Sequence, residues 1–225
     1  ILSGKISIEK EDKDLYKVGD KMIRIDAHDK VLGIGEYVDD MQVEDLNYAS
    51  AIRSKYPRAK ILKIDYTKAL EVPGVIGVLT AEDIPNNKVG HIQQDWDVFI
   101  AEGDITRSQG DAICLVVAEN EKALAEGKKL VEIEYEELPT VSSIEEAEAP
   151  DAPLIHPTGN LCQERHVSRG DADAAFEKCA YVVEEEYSTP FTEHAFLEPE
   201  CAIGEPYKNG VKLYTTDQSV YDTRK

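Results

Sequence analysis

The stretch from Ala112 to Glu136 constrains the fold of this chain most, because it reads as strand, helix and strand in immediate succession. Ala112–Ala118 is an apolar strand. Asn120 stands where a side-chain oxygen can accept from the first free N–H groups of a helix over Glu121–Lys129. Leu130–Glu136 returns as a second strand in which Val131, Ile133 and Tyr135 alternate with Glu132, Glu134 and Glu136, one face for a core and one for water. Such a unit belongs to a layered domain of helices packed on sheets.

Shorter elements surround it. Residues 1–20 are polar and weakly patterned, as in a linker or N-terminal arm, and order is expected from about Met22. Gly33 and Gly35 mark a turn. Ala59–Tyr66 is β-rich, Thr67–Glu71 is a helical turn closed by Pro73-Gly74, and Val75–Leu79 is a buried strand. Thr80 with Asp83 forms a helix start that Pro85 stops. Asn86–Gly110 shows no periodicity.

The acidic, proline-bearing run Glu145–Pro153 reads as an exposed connector and sets a domain boundary. Beyond it, Gly170-Asp171 can cap a helix over Ala172–Lys178, and Tyr181–Tyr187 has the pattern of a strand. Asn209-Gly210 can supply the positive φ angles of a hairpin between Ala202-Ile203 and Val211–Thr215. This half has too few strands to close a core by itself. The organisation expected is an arm over 1–20, a domain over 21–143, a connector over 144–154 and the beginning of a second domain over 155–225.

Hydrophobic residues at 42% and charged residues at 31% allow a buried core under a solvated surface. A formal net charge of −20 repels phosphate backbones and anionic membranes, so neither nucleic acid nor membrane is an expected partner. Four scattered cysteines, Cys114, Cys162, Cys179 and Cys201, lack the spacing of a zinc ribbon or iron–sulfur site and suit reduced thiols in a cytoplasmic protein. Gly33-x-Gly35 lacks the third glycine of a dinucleotide fingerprint, Val38 standing in its place, and no P-loop or Gly-x-Ser-x-Gly elbow occurs. The five histidines are never paired at helical spacing around a carboxylate, and the glutamate clusters 134–137 and 184–186 read as solvated strand faces. No residue is assigned as a metal ligand.

A set of phrases in fixed order resembles the large subunit of the xanthine dehydrogenase and aldehyde oxidase family. They include Arg24-Ile25-Asp26-Ala27, Tyr37-Val38-Asp39-Asp40, Val72-Pro73-Gly74-Val75, Thr80-Ala81-Glu82-Asp83-Ile84-Pro85 and Gly110-Asp111-Ala112. After the connector come Gly170-Asp171, Glu193-His194, Leu197-Glu198-Pro199 and Thr216-Asp217-Gln218. The resemblance implies an α+β chain: an α/β hammerhead domain followed by the first part of a molybdopterin-binding domain.

It also implies the chemistry. In this family a molybdenum ion held by a pyranopterin dithiolene hydroxylates an electron-poor carbon with water-derived oxygen, and electrons leave through iron–sulfur clusters, usually to FAD. Gln218 resembles the family's glutamine whose amide approaches an oxo ligand of molybdenum, and so is the candidate cofactor-binding residue. His194 and Glu198 would shape backbone near the cofactor. The family's glycine-rich loop and late catalytic glutamate have no counterpart here, so no catalytic residue is assigned. By itself the chain is therefore expected to bind no cofactor and turn nothing over, and its opening Ile1-Leu2-Ser3-Gly4-Lys5, without an initiator Met, is expected to lie inside a longer polypeptide. Its expected partners are the rest of the molybdenum subunit, iron–sulfur and FAD subunits or domains, and a small-molecule substrate, with a purine, another N-heterocycle or an aldehyde in view. The competing reading is a non-catalytic assembly or interaction module.

Overall fold

The computed structural model describes residues 18–91 and 93–224. Most of the expected N-terminal arm thus lies outside the described residues, while residues 18–20 are exposed. In chain order the elements are α1 (Ala27–Leu32), β1 (Tyr48–Arg53), β2 (Ala59–Asp65), α2 (Thr67–Leu70), β3 (Val75–Leu79), β4 (Lys88–Val89) and β5 (Trp96–Asp97). They continue as β6 (Ala112–Ala118), α3 (Glu121–Lys129), β7 (Glu132–Glu137), α4 (Ile144–Glu148), α5 (Ala172–Phe176), β8 (Ala202–Tyr207), β9 (Gly210–Thr215) and α6 (Val220–Thr223). The chain divides into two compact units, one over Val43–Phe191 and one joining the residues up to Gln42 with those from Thr192 onwards.

In the first unit β6 is the central strand of an antiparallel sheet ordered β1-β6-β3, and β2 pairs with β7 in a second antiparallel sheet. The strand–helix–strand run therefore delivers its two strands to different sheets. Asn120 Oδ1 accepts from Ala123 N at 2.9 Å, so the expected cap is made. α3 lies so close to the sheet that a Cβ on Gly127 would meet Val75 Cγ2 at 2.8 Å. Ile61, Ile100, Ile113, Cys114 and Val116 fill the space between the layers, joined by Ile133 and Tyr135 from the inward face of β7.

The described residues of the segment Asn86–Gly110, unreadable by periodicity, are ordered by side chains that imitate backbone. The Asn87 amide donates to Phe99 O at 2.7 Å and accepts from Phe99 N at 2.9 Å, which brackets the short β4–β5 ribbon. Thr106, fully buried, accepts from Ala59 N at 2.8 Å, and its own N donates to Ala59 O at 2.9 Å. The carboxylate of Asp111 gathers Arg107 N and the Ser108 hydroxyl at 2.7 and 2.8 Å. These bonds satisfy polar groups that would otherwise be costly to bury.

Burial pushes the Cys114 thiol up from 9.0 to about 11, while Cys162 and Cys179 are exposed. The thiolate is the reactive form. At pH 8, iodoacetamide is expected to label Cys162 and Cys179 and to reach Cys114 only after unfolding; labelling of all three at one rate would show that β6 is not the core strand. Because the folded state favours the neutral thiol, its contribution to stability is complete below 9.0 and disappears as the pH rises through about 11.

The acidic connector differs from its sequence reading. Ser143 Oγ accepts from Glu146 N at 3.1 Å and Glu146 accepts from Ser142 N at 2.8 Å, which nucleates α4 inside it. Glu145, Glu146, Glu148 and Asp151 face water, whereas Ala147, Ala149, Ala152 and Pro153 are half-buried. Asp171 caps α5 as expected, accepting from Ala174 N at 3.0 Å. Tyr181–Tyr187, expected as a strand, is not one: it is exposed at both faces and has no partner strand among the described residues.

The second unit is thin. Gly33, at φ 69°, closes α1 in the left-handed conformation, which makes the glycine turn a helix cap. β8 and β9 form a hairpin whose two-residue loop is Lys208-Asn209. The positive φ falls on Lys208, at 50°, and not on the expected Asn209-Gly210. Pairing of Tyr207 with Gly210 uses the glycine in the ladder, so the turn sits one residue earlier. Ile203 is the one buried apolar side chain of this unit among the described residues.

Candidate functional site

Gln218 lies in the loop that carries the chain from β9 into α6. The loop's backbone is fixed at both ends. Thr216 prolongs the hairpin beyond its last strand residue, its N donating to Cys201 O and its Oγ1 accepting from Cys201 N, both at 3.2 Å. Asp217 Oδ1 accepts from Ser219 N at 3.0 Å, the bond by which an aspartate imitates a backbone turn. Ser219 Oγ donates to Asp222 Oδ2 at 2.7 Å, and the Ser219 carbonyl accepts from Asp222 N at 3.0 Å.

Between these anchors Gln218 is exposed, and its amide makes no hydrogen bond among the described residues. A neutral amide on a fixed backbone can donate to an external acceptor without bringing charge to it. Burial, with the Asp39 carboxylate nearby, pushes the Cys201 thiol up, so this residue presents a neutral group beside the loop's base. A cofactor whose metal is held by its own sulfur atoms would ask the protein for hydrogen bonds, and the Gln218 amide is a group that can donate one. Among the described residues no group of three His, Cys, Asp or Glu side chains is arranged to hold a metal ion.

His194 and Glu198 occupy a second exposed loop of the same unit. The His194 ring stacks on Phe196 at 5.3 Å and 11°, and Ala195 between them has a φ of 48°. An alanine in the left-handed region is uncommon. The structure places Glu198 in a bend, half-buried, without joining it to Gln218 by any hydrogen bond. Motif reading misses Phe196, and the alternation of residue types around it carries no signal that would find it.

The family model for the aldehyde oxidase and xanthine dehydrogenase a/b hammerhead domain matches residues 32–139, and that for the molybdopterin cofactor-binding domain matches residues 155–225. The nicotinate dehydrogenase large molybdopterin subunit of Eubacterium barkeri is 36% identical over 85% of this chain and 45% of its own length. A probable xanthine dehydrogenase component from Bacillus subtilis is 33% identical over 90% of this chain and 27% of its own. Among solved structures, the Desulfovibrio gigas aldehyde oxidoreductase has a TM-score of 0.74 at 27% identity, covering 85% of this chain and 22% of that one. Quinoline 2-oxidoreductase of Pseudomonas putida gives 0.73 at 25% identity, covering 89% and 27%. The chain thus spans less than half the length of these relatives.

Proposed function

The chain belongs to the aldehyde oxidase and xanthine dehydrogenase family of molybdenum-dependent oxidoreductases, and on that premise we propose that it serves a hydroxylase acting on an N-heterocycle. It carries the family's hammerhead domain followed by the opening of the molybdopterin-binding domain. The observation that carries the proposal is the uncommitted amide of Gln218 on a doubly anchored loop. The molybdenum cofactor, when bound, supplies the two-electron acceptor for hydroxylation with oxygen from water. Gln218 would hold the cofactor through a hydrogen bond from its amide, Thr216 and Asp217 would orient that amide, and the rest of the molybdenum subunit would provide the base and the substrate pocket. Iron–sulfur and FAD partners would carry the electrons away, in the cytoplasm.

The substrate class rests on the relatives. Nicotinate, xanthine and quinoline are all aromatic rings containing nitrogen. A ring nitrogen withdraws electron density from the adjacent carbon and prepares it for attack by an oxygen nucleophile. The test is the complete subunit, produced with its iron–sulfur and flavin partners in a host that makes the cofactor. One molybdenum per subunit, and transfer of heavy oxygen from labelled water into a hydroxylated N-heterocycle, is the expected result. A subunit that folds with no molybdenum would favour an assembly module, and one that oxidises aldehydes alone would overturn the substrate class.

A further inference from the structure

A cleft of about 360 Å³ separates the loop around Lys88, Asp97 and Arg107 from residues Leu154–Pro157. Its two walls are joined by named contacts. The half-buried His156 ring packs tilted against Trp96 at 6.1 Å, with Nδ1 3.2 Å from Asp95 Oδ2. That nitrogen is buried and makes no hydrogen bond, so the ring is held here by packing. The facing wall is itself rigid: Arg107 donates to the Asp95 carbonyl and lies 3.4 Å from the buried Asp97 carboxylate, which also pairs with Lys88.

Behind His156 one side chain closes the whole connector. Asn160 Oδ1 accepts from Ile155 N at 2.8 Å, and its Nδ2 donates to Ala147 O at 3.1 Å and Pro153 O at 3.2 Å. Gly159, at φ 119°, makes the turn that brings Asn160 back, its N donating to His156 O at 3.0 Å. Immediately after Asn160 the character of the chain changes, and residues 161–170 are all exposed.

We infer that His156 and Asn160 form a clasp, closed at Asn160, that makes residues 144–160 a structural part of the hammerhead unit. The sequence boundary between the two family models falls before this point, since residues 155–160 match the cofactor-binding model. Physically those residues complete the hammerhead. The clasp is a conformational device: it converts an acidic connector, which charge repulsion would extend, into an anchored segment. It rests on the Asn160 hydrogen bonds and the packing of His156, and stands whether or not Gln218 meets a cofactor.

Hydrogen–deuterium exchange on the full chain tests it. Asn160→Ala removes three bonds at once. Asn160→Asp keeps the acceptor for Ile155 N but sets carboxylate oxygen against the carbonyls of Ala147 and Pro153. His156→Ala opens the other side. Each variant is expected to speed exchange across 147–160 by about tenfold or more, ~1.4 kcal/mol of local opening, and to leave the amides of β6 unchanged. His156→Ala should also speed exchange at 94–97. Unchanged exchange over 147–160 in all three variants would overturn the clasp. If Asn160→Ala unfolds the chain, the same criterion applied to His156→Ala decides.

Discussion

Gln218→Ala, introduced into the complete cofactor-loaded subunit, is expected to lower turnover roughly a hundred- to a thousandfold, the range seen when one preorganised donor is removed from an oxyanion site. Molybdenum content and thermal stability should barely move. The side chain is exposed and its amide makes no bond within the described residues, so truncating it breaks nothing in the fold. The loop's geometry depends on Thr216, Asp217 and Ser219, which the substitution leaves intact. What disappears is a neutral donor whose contribution grows with the negative charge on its acceptor, and a contribution of that kind falls on the transition state more than on binding. Equal turnover at full molybdenum occupancy would return Gln218 to the role of an ordinary polar loop residue.

The amides of Tyr181–Tyr187 are expected to exchange near the unprotected rate in this chain and about a thousandfold or more slower in the complete subunit, a difference of ~4 kcal/mol in local opening. Tyr181 is 91% exposed, Val183 81% and Tyr187 88%, although the segment has the composition of a strand. Covering each such side chain would contribute about 1.5–3 kcal/mol. The β8–β9 hairpin makes the same demand, because a two-stranded ribbon is marginal in water and here buries little beyond Ile203. Exchange at equal rates in both settings would mean that the segment is a solvated arm and that the molybdopterin-binding domain forms without it.

The contrast between the two halves explains what could be read from residues alone. β6, α3 and β7 are legible because each expresses one period over its whole length: an apolar run, a capped amphipathic helix, then strict alternation with Ile133 and Tyr135 inward. The described residues 93–110 are illegible for another reason, since Asn87, Thr106 and Asp111 hold them by single side-chain bonds to backbone outside any periodic pattern. No local pattern announces such a bond. α4 is within reach, because Ser143 and Glu146 stand at capping distance, but the prolines and acids around them argue for a loop. At Tyr181–Tyr187 alternation defines a strand face, and a face becomes a strand only when a partner supplies the ladder.

The site is legible to a different degree. Nothing in the composition or periodicity around Gln218 distinguishes it from other polar residues; its assignment comes from the resemblance of Thr216-Asp217-Gln218 to the family. The structure adds what resemblance could not, the two anchors that hold the loop and the absence of any internal bond among the described residues to occupy the amide.

Where that amide points when the cofactor is in place decides the role of Gln218, and a structure of the complete molybdenum subunit with its cofactor measures this directly. The expected result is Gln218 Nε2 within hydrogen-bonding distance, about 2.7–3.2 Å, of an oxygen ligand of molybdenum. A loaded subunit in which that nitrogen faces solvent, or bonds to protein while another residue meets the oxygen, would contradict it.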